Sequence, residues 1–169
     1  TNGLRLWEKI TYKDKSNQLW QHLLEKGITD ISISLAHMDP DKNRAIMRIP
    51  TGQNIKLEHL AYLAQNHTNL RLSCVLHPDG VDSPDKMAEY LDQGLNLGIK
   101  KYVFRLPSKF ISKYTLSSKY ASANSSISLK TDSFRDWLLK KGFHTDYQRK
   151  EFDHDLFIMR KEGIEVSID

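Results

Sequence analysis

Between Ser16 and Leu106 the chain switches repeatedly between helical and extended hydrophobic spacing, and this limits its fold more than any other feature. Leu19, Trp20, Leu23 and Leu24 recur at helical spacing after a capping Ser16, and Gly27 stops them. "ITDISISLA" then reads as a strand, Asp30 to Ala36. Asp39-Pro40 supplies a cap and a first helical residue for a short helix to about Met47. After the turn "TGQN", Leu57, Leu60, Ala61 and Ala64 mark another helix, closed near Asn66. "NLRLSCVLH" is a second strand. Ser83-Pro84 opens a long helix with Met87, Tyr90, Leu91 and Leu95 on its apolar face, and "KKYVFRLP" is a third strand. Strands separated by such helices need crossover connections, so the expected class is α/β with a parallel sheet.

Past Pro107 the pattern lapses. "SKYTLSSKYASANSSISLKTDS" is rich in Ser and Lys and reads as a long loop. A helix carrying Phe134, Trp137 and Leu138 follows, ended by Gly142. "DLFIMRKEGIEVSID" then suggests two short strands around Lys161-Glu162-Gly163. The expected division is therefore residues 1–108, an α/β unit, and 109–169, a small α+β extension. At 169 residues and 39% apolar composition the chain can bury a core. It contains no apolar run long enough for a membrane span and no secretory leader, and the expected compartment is the cytoplasm. A net charge of +4 permits an anionic ligand without arguing for nucleic acid. One cysteine, Cys74, excludes an internal disulfide and a thiolate metal site made by this chain alone. His144 and His154, with Asp146, Asp153 and Asp155, match no metal-ligand spacing and read as solvated surface; no metal ligand is assigned.

Alternation along each strand separates two faces. Ile31, Ile33 and Leu35, then Leu70, Leu72, Cys74 and Leu76, then Tyr102, Phe104 and Leu106, are the bulky partners that covering helices demand. The opposite face carries Ser32, Ser34 and Ala36; Arg71, Ser73, Val75 and His77; and Lys101, Val103 and Arg105. A sheet covered on both sides reads as nearly continuous Val, Ile and Leu. This face is small, polar and basic. It either lines a hollow for a polar, partly anionic ligand or meets solvent in a one-sided sheet. At the carboxyl ends of the strands, where α/β folds bind ligands, stand His37, His77, Asp79 and Arg105. His37 and His77 are substrate-side candidates and, in a complete enzyme of unrelated type, candidate general bases.

Three segments resemble the radical S-adenosylmethionine superfamily, in the branch of molybdenum-cofactor biosynthesis and glycyl-radical activating enzymes. "TNGLRL" is similar to the turn that ends the third barrel strand of that family. "GITDISISLAHMDPDKNRAIM" resembles its fourth strand and following helix, and "LRLSCVLHPDGVDSPDKMAEYLDQGLNLGIKKYVFRL" its fifth strand, helix and sixth strand. The resemblance covers about Thr1 to Leu106. It implies a partial (βα) barrel with parallel strands, S-adenosylmethionine as cofactor, and a 4Fe-4S cluster that cleaves it to start hydrogen abstraction. By the same resemblance Thr1, Asn2, Ser34, Val75, Leu76 and Arg105 are cofactor-binding positions. The family's Cys-x3-Cys-x2-Cys loop is absent here, so the cluster ligands are expected upstream of Thr1, and the chain is expected to be an inactive piece of a longer oxidoreductase without catalytic residues of its own. "SLAHMD" stands where the family has "SLD", which displaces the acidic residue to Asp39. The alternative is a non-enzymatic half-barrel module that binds a small anionic ligand or a protein partner. A sheet deprived of upstream strands bares an edge, which favours pairing with a second copy.

Overall fold

The structure is a computed structural model that describes residues 2–66, 69–105, 132–151 and 154–168. Thr1, Leu106, the Ser- and Lys-rich stretch 109–130 and Asp153 therefore lie outside the described residues.

A single turn of 3-10 helix, Leu4–Trp7, leads into a hairpin of β1 (Lys9–Tyr12) and β2 (Lys15–Gln18). Sequence reasoning placed a helix cap at Ser16, but Ser16 is in β2. The helix α1 spans Leu19–Glu25 and is capped by Gln18, whose side chain takes the Gln21 backbone while Gln21 takes that of Gln18. The hairpin escapes notice because its strands are short and polar, and because Lys13 and Asp14 make its turn with positive φ of 48° and 63° in place of the usual Asn-Gly.

From there the expected alternation holds. β3 (Asp30–Ser34), α2 (Pro40–Met47), α3 (Leu57–Asn66), β4 (Asn69–Val75), α4 (Pro84–Asn96) and β5 (Lys101–Arg105) follow in order. β3 pairs with β4 and β4 with β5, all parallel. Each strand is shorter than the apolar run that suggested it; Leu35 and Leu76 continue past the strand ends, each still donating an N–H to the neighbouring strand, to Ser73 O at 3.0 Å and Arg105 O at 2.9 Å.

After a helix over residues 132–140, α5, come β6 (His144–Glu151), β7 (His154–Lys161) and β8 (Ile164–Ile168). β6 is not evident from composition. Its residues 144–149 are exposed and mostly polar, so no apolar alternation announces it. β8 joins β5 in parallel, β7 pairs antiparallel with β8, and β6 antiparallel with β7. The result is mixed α/β: one six-stranded mixed sheet in the order β3-β4-β5-β8-β7-β6, with the β1-β2 hairpin apart from it.

One face of this sheet makes the core. Ile33, Leu72, Phe104, Ile168 and Phe157 lie in neighbouring strands and are 1% exposed or less. They share a single cluster with Leu60 and Leu63 of α3, Met87 and Leu91 of α4, and Phe134 and Leu138 of α5. Phe104 meets Tyr90 and Phe134 edge to face, with ring centroids 5.6 and 5.3 Å away. Burial on this scale, about 1.5–3 kcal/mol for each large apolar side chain, is what orients the sheet.

Candidate functional site

With the helices of the core on one side, the opposite face is polar, as the strand alternation predicts. Register sets it out in rows. Ser32, Arg71, Lys101, Glu165 and Arg160 stand side by side across five strands, and Ser34, Ser73, Val103, Ser167 and Ile158 form the next row. Arg71 Nε donates to Ser32 Oγ at 3.3 Å, and Lys101 Nζ lies 3.9 Å from an Asp30 carboxylate oxygen. Arg160 donates to Glu165 through Nε and one terminal nitrogen at 3.0 and 2.8 Å, and to Asp146 through the other. Over its outer strands this face is a solvated charge ladder, the second of the two readings left open by the sequence.

At the carboxyl ends of β3 and β4 the face becomes a hollow of about 200 Å³. Ser34 and Ala36 form one wall, Ser73, Val75 and His77 another, and Ile46 and Met47 of α2 lie over them. Ser73 is only 5% exposed here, while Val75 remains 45% exposed at the mouth. The walls are mostly carbon, with Ser34, Ser73 and His77 providing polar atoms. Such a lining suits a largely apolar group with a few hydrogen-bonding positions.

Local sequence explains how the hollow is shaped. "HPDG" makes a tight turn after β4: Gly80 N–H donates to His77 C=O at 2.9 Å, with Pro78 at the position that fixes φ. At Gly80 an added Cβ would stand 2.8 Å from Ile46 Cδ1 and 3.3 Å from Ala36 O, so glycine lets this turn and α2 lie this close without Ile46 turning aside. α2 begins at Asp39, whose carboxylate accepts from the N–H groups of Asp41 and Lys42 at 2.9 and 3.0 Å. Those bonds hold the Asp39 carboxyl below its ordinary pKa. The displaced acidic residue is therefore a helix cap in this chain.

The two histidines share a motif, His-x-Asp, at the ends of adjacent strands. His37 Nδ1 accepts from Asp39 N–H at 2.9 Å, and His77 Nδ1 from Asp79 N–H at 3.1 Å. Each bond puts the proton of the neutral ring on Nε2. Burial, and secondarily Lys42, lower the His37 pKa from its ordinary 6.5; Asp39 and Glu89 oppose this and Lys86 adds to it.

Of the sequence candidates, Ser34, Val75 and His77 meet in the hollow. Arg105 is exposed beside Val75 on the same sheet face, one strand over. His37 lies one residue beyond the Ala36 wall. Leu76 is 2% exposed and belongs to the core on the far side. Asn2 lies in the segment before β1, where its Oδ1 accepts from Leu4 N–H at 3.3 Å. Sequence reasoning missed Ile46 and Met47, which line the hollow, and Gly80, which lies against Ile46; the first two are signalled only by an apolar pair at the end of a polar helix, and Gly80 by the turn sequence "HPDG".

A second cavity, of about 250 Å³, separates the N-terminal segment from α3. Trp7 stacks on His59 there at 4.1 Å between ring centroids and 7° between planes. Burial is the main reason that His59 has a lowered pKa.

Cys74 is buried in the core, and burial pushes its thiol far above the ordinary range. One inert thiol does not fit an iron–sulfur cluster, which takes several thiolates. Among the described residues no group of three or more His, Cys, Asp or Glu side chains is placed to hold a metal ion, and no helix is long and apolar enough to cross a membrane. Compared with known protein families, curated proteins and solved structures, the chain matches none.

Proposed function

We propose that this chain forms the S-adenosylmethionine-binding edge of a radical S-adenosylmethionine enzyme, with β3, β4 and β5 as strands of its partial barrel. The observation that carries the reading is the carbon-walled hollow at the carboxyl ends of β3 and β4, with Arg105 of β5 paired in register with Val75 at its mouth. A nucleoside fits the first and a carboxylate the second. Ser34 and Val75 are the contacts on which the reading rests. Leu76 contributes through the core behind them. The cluster is supplied by residues that this sequence does not contain, so the chain binds the cofactor and does not cleave it.

Calorimetric titration with S-adenosylmethionine and with S-adenosylhomocysteine tests the reading. Saturable one-to-one binding is expected, weakened at least ~10-fold by Val75→Glu, which sets a carboxylate in the mouth of the hollow. No saturable binding of either compound, or binding indifferent to Val75→Glu, sinks the proposal. Incubation with iron and sulfide is expected to leave the chain colourless.

A second reading, a non-enzymatic module for a small anionic ligand or a protein partner, is favoured by Arg71, Lys101 and Arg105 on the polar sheet face. It predicts that simple anions bind at the basic face and that neither cofactor compound competes with them.

A further inference from the structure

Four polar backbone atoms meet at the wall of the hollow, and each has a partner from elsewhere in the fold. Leu35 N–H donates to Ser73 O at 3.0 Å, across to β4. Leu35 C=O accepts from the Tyr90 hydroxyl of α4 at 2.8 Å. Ala36 N–H donates to Asn43 Oδ1 of α2, also at 2.8 Å. Ala36 C=O faces the Cys74 thiol, with Sγ 3.7 Å away. Loop backbone is normally solvated; here a dipeptide just past the end of β3 is fixed by three elements in a buried setting.

Asn43 has no other evident reason for its place. It is 1% exposed inside an eight-residue helix, where asparagine is a poor helix former and a buried amide is costly unless bonded. Its neighbours on α2, Ile46 and Met47, cover the hollow. The Asn43–Ala36 bond thus joins the roof to the wall.

We propose that Asn43 is the positioning residue of this site: by holding Ala36 N–H it sets the distance between α2 and the end of β3, and with it the width of the hollow and the seat of His37. The ligand's identity rests on the reading above, whereas the positioning role does not.

The experiment compares Asn43→Ala with Asn43→Asp, which keeps an acceptor oxygen at the same reach. In the ligand-free protein, the Ala36 amide is expected to exchange with solvent at least ~10-fold faster in Asn43→Ala. Amides of Leu72 and Phe104 are expected to stay protected, which shows that the fold persists. The His37 titration, followed by NMR, is expected to move up towards 6.5 as the ring gains water, since burial is its leading cause of depression. Asn43→Asp is expected to restore the exchange rate. S-adenosylhomocysteine is expected to bind at least ~10-fold more weakly to Asn43→Ala, with affinity recovered in Asn43→Asp.

Unchanged Ala36 exchange and unchanged His37 titration in Asn43→Ala overturn the positioning role. So does faster exchange with undiminished affinity for the probe. If Leu72 and Phe104 lose protection together with Ala36, Asn43 is a general stability residue and the proposal fails. A wild-type chain that does not bind the probe removes the cofactor reading alone, because exchange and titration still decide the role of Asn43.

Discussion

Glycine 94 and glycine 80 show how one missing Cβ has different consequences in different surroundings. A Cβ at Gly94 would lie 2.7 Å from Tyr102 Cε1, on a ring that is 1% exposed and whose hydroxyl donates to Ile99 O at 2.7 Å. The ring cannot yield, so Gly94→Ala is expected to lower stability by about 1–3 kcal/mol in urea unfolding. At Gly80 the neighbour is the far end of Ile46, which can turn away. Gly80→Ala is expected to cost about 1 kcal/mol or less, and to reduce ligand affinity because Ile46 moves into the hollow. Two histidines give a pH dependence of one sign. His37 and His59 both have folded pKa values below 6.5, so as pH falls the unfolded chain takes up their protons first. The stability they contribute is complete above 6.5 and is lost as pH falls through 6.5 to their folded values. Urea midpoints should therefore decline from about pH 7.5 to about pH 5.5, and His59→Gln should flatten part of that decline.

At the scale of the element, α2 depends on its ends more than on its apolar face. It contains Asp41, Lys42, Asn43 and Arg44 in succession, so the Asp39 cap supplies much of its order. Asp39→Ala is expected to cost about 1 kcal/mol and to loosen the roof of the hollow; thermal melting and titration with S-adenosylhomocysteine check the two effects. The same helix marks where the sequence was legible. Asp39-Pro40 announces its start, and Ser83-Pro84 that of α4, because capping chemistry is local. The facing of β3, β4 and β5 was legible for a similar reason, since period-two alternation with Ile, Leu and Phe is decided within each strand. Asn43 was not, because its importance depends on Ala36, which reaches it only through the folded loop. β6 and the β1-β2 hairpin were not, because their residues meet solvent and carry no apolar rhythm. Ser34, Val75 and His77 were legible as the ends of strands, but the hollow uniting them required the placement of Ile46 and Met47.

For the whole molecule, the two edges of the sheet differ. Residues 144–149 of β6 are exposed and mostly polar, and the strand has a register shift between Thr145 and Tyr147, features that discourage further strands from adding. β3, at the other edge, is the five-residue "DISIS", with regular register to β4. Gly3 packs against it at Ile33. Concentration-dependent dimers are the expected result of sedimentation equilibrium, and a single monomeric species at every concentration would argue against pairing through β3. The interior of the sheet has a different asymmetry. Lys101 of β5 pairs with Glu165 of β8, while β6 and β7, which come earlier in the chain, lie outside β8. A nascent chain that has displayed β5 must wait for β8 before this side of the strand is closed, and the hairpin beyond has no anchor until then. Such late insertion raises contact order and slows refolding. During synthesis it leaves an open flank that a holdase chaperone can occupy, so the yield of this chain in cells should depend on such help.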